Sequence, residues 1–193
     1  MNTEDAKPLS SEESLAIISQ MINTAKGNVQ SQSFYFLLWG YIVMTGSLGH
    51  FFLGYYELTE APYMAWLVTI PAVIASFIYG ARQQKRARVR TSYDRLAAVL
   101  WIGFLVMIAT MQVFMSQLAL VFVPLTLMMS GHATFLTGYF IKFKPLMYGG
   151  VILWVCAVVA FIVPYDMGLI VQAIAVLIGY LIPGHLLRAK PKA

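Results

Sequence analysis

Hydrophobic positions in this chain gather into six long apolar stretches, at 33–55, 61–80, 96–115, 119–141, 146–164 and 167–187, with short polar connections between them. A helix rises 1.5 Å per residue, so about 20 apolar residues cross the roughly 30 Å hydrocarbon core of a bilayer. Each stretch is of that length, and the pattern predicts six transmembrane helices. Residues 96–141 carry no charge at all. As one helix they would be about 69 Å long, more than twice the hydrocarbon thickness. They must therefore fold back, and Ser116-Gln117 is the only polar point near the middle. Lys142-Phe143-Lys144-Pro145 and Pro164-Tyr165-Asp166 mark two further tight turns. Pro71 is expected to kink the second span, and Pro183-Gly184 to bend or end the sixth.

The polar segment before the first stretch has a pattern of its own. Ser10 and Glu13 stand at capping-box spacing, and Leu15, Ile18, Ile22, Ala25 and Val29 recur every three or four residues. This predicts an amphipathic helix over 10–29, weakened at Gly27. Its apolar stripe, Leu15, Ile18 and Ile22, is a candidate docking surface for a cytoplasmic partner; a helix lying on the bilayer or against the bundle base explains the same stripe. Thr91 with Asp94 offers a cap for the third span. The division expected is a tail with the amphipathic helix over 1–32, a six-helix membrane domain over 33–188 and a short basic tail over 189–193.

Charge adds the orientation. Lys7 and Lys26, then Arg82, Lys85, Arg86, Arg88, Arg90 and Arg95, then Lys142 and Lys144, then Arg188, Lys190 and Lys192 occupy alternate connections, while the others hold Glu57, Glu60 and Asp166. Cytoplasmic loops carry the Lys/Arg excess, so both termini are expected in the cytoplasm. The net charge of +5 follows from this placement and calls for no nucleic acid; the expected partners are the lipid bilayer and a cytoplasmic or membrane protein. The polar start, with Glu4, Asp5, Glu12 and Glu13, lacks the form of a signal peptide.

Composition agrees. The chain is 60% hydrophobic and 11% charged, against about 25% charged in soluble domains. The single cysteine, Cys156, lies in the fifth span and forms no intrachain disulfide. His50, His132 and His185 do not follow a zinc spacing, so no metal or cofactor is expected.

Few residues carry candidate chemistry. No span contains Asp or Glu, the usual countercharge for a cation moved through low dielectric. His132 falls near mid-depth of the fourth span. An ionisable group there is a candidate functional site, set against a neutral imidazole bonded to a neighbouring helix. His50, Gln112 and Gln172 fall in the outer thirds of their spans, as does Thr110. They either meet in an outward-facing polar pocket or make separate interhelical hydrogen bonds. Ser130, Thr134 and Gly138 place a small residue at every fourth position of the fourth span, which lets helix backbones approach; His132, about 200° around the helix, projects away from them. No nucleophile comes with a recognisable base, and neither HExxH nor a Gly-rich phosphate loop occurs. The chain is expected not to be an enzyme.

There is also a faint internal echo. Gly49-His50 and Gly131-His132 sit in the first and fourth spans, Pro62 and Pro145 follow them, and Ile102-Gly103 and Ile178-Gly179 occupy the third and sixth. Three spans followed by three would make two halves of opposite orientation, as in inverted-repeat transporters.

Phe135-Leu136-Thr137-Gly138 followed by Lys142-Phe143-Lys144-Pro145, with Gly149-Gly150 and Trp154 nearby, resembles a stretch of uncharacterised small multi-pass proteins of bacterial inner membranes. The resemblance covers about the fourth and fifth spans. It implies a bacterial inner-membrane location and carries no activity. The function expected is that of an accessory or regulatory membrane component acting through partners, with a small transporter or channel as the alternative.

Overall fold

The structure, a computed structural model, describes residues 11–86 and 92–189, with side chains placed for 32–83, 85 and 96–189. Among these the regular secondary structure is all helix, and six helical stretches are long and apolar enough to cross a membrane: Gln32–Tyr55, Pro62–Gln83, Leu96–Val113, Met115–Phe140, Lys144–Ile162 and Tyr165–Ala189.

The first helix, α1 (Ser11–Tyr55), runs without a break through both the N-terminal stripe and the first span. Gly27 does not end it. The stripe Leu15, Ile18 and Ile22 lies on this continuous helix, with its side chains outside the described residues. The second span opens as a tight 3-10 segment, Pro62–Val68, and becomes α2 (Thr69–Arg86). Pro71 thus falls in the first turn of α2, where a missing N–H costs no helical bond. The winding changes from 3-10 to α at the α2 start, two residues before Pro71. The Thr91 cap lies outside the described residues, next to α3 (Ser92–Val113). The charge-free stretch folds back at Phe114 through a single turn, α4 (Met115–Leu118), and a 3-10 turn into α5 (Phe122–Phe140).

The next turn is closed by the backbone. Lys142 adopts a left-handed φ of 52°, while the N–H groups of Lys142 and Phe143 bond to the carbonyls of Tyr139 and Gly138 at 3.1 and 2.9 Å. These bonds use helix-end carbonyls that have no partner within the helix. Pro145 then sits in the first turn of α6 (Lys144–Ile162), which leads to the last span, α7 (Tyr165–Val176), a wider π-type turn over Leu177–Leu181, and α8 (Ile182–Ala189). Pro183 has no N–H for the Gly179 carbonyl four residues back, and the wider turn just before it absorbs that mismatch. The proline changes the winding without ending the span.

The packing has a clear order. α5 lies against α6, α6 against the last span, that span against α1, α3 against α5, and the Pro62–Val68 segment with α2 against α1. The spans of α2 and α3 bury the smallest share of their residues and lie at the margins of the bundle. Glycines set the tightest approaches. A Cβ on Gly131 would meet the Gly150 carbonyl oxygen at 2.9 Å, and one on Gly149 would meet that of Gly179 at 2.5 Å. Adjacent glycines thus let α6 touch α5 on one side and the last span on the other. Leu127, Leu146, Leu153, Leu169 and Leu187 fill the core around these contacts and are fully buried.

Candidate functional site

Buried polar side chains of three helices, Ser47 of α1, Gln172 of α7 and Thr126 of α5, line up at the seam between α1 and α7. Ser47 of α1 donates its hydroxyl hydrogen to Oε1 of Gln172 on α7, at 2.9 Å. Nε2 of Gln172 stands 3.5 Å from Oγ1 of Thr126 on α5, and the Thr126 hydroxyl donates to the Val123 carbonyl at 2.8 Å. The bonds run in one direction, from hydroxyl to amide to hydroxyl to backbone. All three side chains are buried. Burying an amide in an apolar core is costly unless its hydrogen bonds are made, and here the carbonyl and one N–H of Gln172 have partners on two other helices.

One turn along α1, toward the end bearing Glu57 and Asp166, His50 shares the face of Ser47. The indole Nε1–H of Trp66 donates to its Nδ1 at 3.2 Å. Its ring lies edge-on to Tyr165, with centroids 5.9 Å apart, and Asp166 is within electrostatic reach. Small residues on α1 make room for this: a Cβ on Gly46 would meet the Trp66 ring at 2.9 Å, and one on Gly49 would meet Ala65 at 3.1 Å. The Pro62–Val68 segment therefore docks flat on α1, with Trp66 as its polar anchor.

Of the residues singled out in the sequence, His50 and Gln172 come together on this seam. Gln112 does not join them. It is exposed on α3, whose packing partner is α5, and Thr110 on the same helix bonds back to the Val106 carbonyl at 2.9 Å. Ser47, Thr126, Trp66 and Tyr165 were not foreseen as members. Ser47 carried a signal, since it precedes His50 by three residues and so shares its helix face; Thr126 carried none.

His132 lies on α5 away from the buried Thr134 and Gly138. It is exposed on the outer face of α5, where its ring lies 6.3 Å from that of Trp154, and it makes no hydrogen bond to a neighbouring helix among the described residues. The reason is rotational. Thr134 and Gly138 are buried and Ser130 is half-buried, so the residue 200° away faces outward. Gly138 lies where a Cβ would meet the Met147 backbone nitrogen at 2.7 Å. Thr134 and Ser130 stand beside the buried Tyr180, whose hydroxyl is within their reach. Among the described residues, no three His, Cys, Asp or Glu side chains are grouped to hold a metal ion.

The fold and this seam fit a multi-pass α-helical membrane protein. No protein-family model, curated protein or solved structure matches the chain.

Proposed function

We propose that this chain is a non-catalytic component of the bacterial inner membrane, with both termini in the cytoplasm, that acts by docking a protein partner on the N-terminal part of α1. The observation that supports this reading most is the continuity of α1. Of its 45 residues, Gln32–Tyr55 supplies the first span, and the rest extends the same helix by roughly 30 Å. Leu15, Ile18 and Ile22 are the proposed contact stripe. A partner bound there would act on a rod whose far half carries Ser47 and His50. The test is cross-linking with mass spectrometry in native membranes, comparing wild type with the triple variant Leu15→Glu, Ile18→Glu, Ile22→Glu. A companion lost only in the variant supports docking. A wild-type protein that cross-links to no companion, or a variant that keeps it, overturns the reading.

The alternative, a small transporter or channel of two inverted halves, draws on the Ser47–Gln172–Thr126 chain, which places polar groups of three helices inside the bundle. It requires water to reach Ser47. Labelling of Ser47→Cys by a small impermeant thiol reagent would favour it, and protection would favour the partner reading.

A further inference from the structure

Two clefts meet at Tyr41 on the outer surface of the bundle. One, of about 510 Å³, runs between α1 and the last span past Met44, Leu177, Leu181 and Ile182, with His185 toward the basic end. The other, of about 360 Å³, opens between α1, α2 and α8 beside Ser33, Leu37, Tyr79 and Arg188. The Tyr41 hydroxyl lies 2.9 Å from Nε2 of His185, so this pair links the clefts.

The helices come close enough to form these walls because Gly40 and Gly184 carry no side chain. A Cβ on Gly40 would meet Leu181 at 2.6 Å, and one on Gly184 would meet Leu37 at 3.1 Å. The combined groove is sorted along its length. Ser33, Tyr41, His185 and Arg188 lie toward the basic end, and hydrocarbon lines the rest. From Arg188 to Leu177 the helix rises about 16 Å, which is half of a roughly 30 Å hydrocarbon core and so the depth of one leaflet.

We propose that this groove is a binding site for one anionic phospholipid, with its phosphate at Arg188 and His185 and one acyl chain lying along Met44, Ile182 and Leu177. A guanidinium offers paired N–H donors matched to phosphate oxygens. His185 uses Nε2 on Tyr41 and keeps Nδ1 for the headgroup. The charge around the mouth selects the class of lipid. Arg82 stands one turn beyond Tyr79 on α2, and Lys85 follows; both are exposed. An anionic headgroup gains from these cations, whereas a zwitterionic one brings an ammonium group among them. The hydrogen-bonded Tyr41–His185 pair, exposed on a bilayer-facing surface, is in place to meet a headgroup.

The test is native mass spectrometry of the purified protein, titrated with phosphatidylglycerol or phosphatidylcholine of the same acyl chains. Wild type should retain one phosphatidylglycerol with at least tenfold preference. Arg188→Gln should lose the preference, Ile182→Trp should reduce retention of both lipids by filling the groove, and Lys144→Gln, on α6, should behave as wild type. Arg188, Ile182 and Lys144 are exposed, and unchanged thermal melting confirms that each variant folds. Soluble glycerol phosphate should not displace the lipid. Equal retention of the two lipids by wild type, an unchanged preference in Arg188→Gln, or displacement by glycerol phosphate overturns the proposal.

Discussion

The indole N–H of Trp66 points at Nδ1 of His50 from 3.2 Å, and this contact fixes the imidazole's tautomer. An indole can only donate, so Nδ1 must accept and the ring proton sits on Nε2. His50→Gln should keep the contact, because an amide oxygen also accepts. His50→Leu and Trp66→Phe should each cost on the order of 1 kcal/mol, in the range of interhelical hydrogen bonds in bilayers. Thermal melting in nanodiscs measures this; His50→Gln melting as low as His50→Leu would contradict it.

The same contact predicts a response to acid. A doubly protonated imidazole has two donors and no acceptor, so charging His50 removes the Trp66 bond, next to Tyr165 and Asp166. Acidification should change the tryptophan fluorescence of wild type, and His50→Gln should abolish the change. The chain has 4 tryptophans, so loss of the response in Trp66→Phe assigns it. A response that survives in Trp66→Phe would place its origin elsewhere.

The glycines of α6 should be intolerant of even a methyl group. Gly149→Ala would set a Cβ 2.5 Å from a backbone oxygen on the last span, and the helices must separate to relieve it, at about 1–3 kcal/mol. Gly138→Leu should cost a similar amount for the same reason. Gly103, with nothing within 4 Å of the equivalent position, should accept alanine without loss. A melting series over these three sites tests the ranking.

Gln172 joins α1, α5 and α7, so its removal should couple to Ser47. We expect Gln172→Leu and Ser47→Ala each to destabilise by about 0.5–2 kcal/mol, with the double variant well short of the sum, because both break the same bond. Full additivity in the double-mutant cycle would show that the bond contributes nothing.

His132→Gln should be mild, within about 0.5 kcal/mol, as for a surface position. A folded variant that loses its partner or its function would make the His132–Trp154 surface a working site.

The sequence alone determined that six helices exist, roughly where each begins and ends, and which segments turn back. These follow from local quantities: about 20 apolar residues against the bilayer thickness, and prolines or charges where a helix must stop. It also placed Thr134 and Gly138 on one face and His132 on another, because 3.6 residues per turn is a property of the helix itself. What it could not determine was which faces meet. Apolar spans look alike in hydropathy on every side, so Gln112 and Gln172 read as equals, and only the packing order sent one outward on α3 and the other inward to Ser47. The same holds for His132 and His50: both are single imidazoles in apolar helices, yet α5 turns one to the outside while Gly46 and Gly49 bring Trp66 onto the other. Backbone contacts such as Gly149 with Gly179 and polar chains such as Ser47–Gln172–Thr126 join residues more than 25 positions apart. They exist only once the helices have chosen their neighbours, because side-chain packing and hydrogen-bond satisfaction across helices, not local propensity, decide that choice.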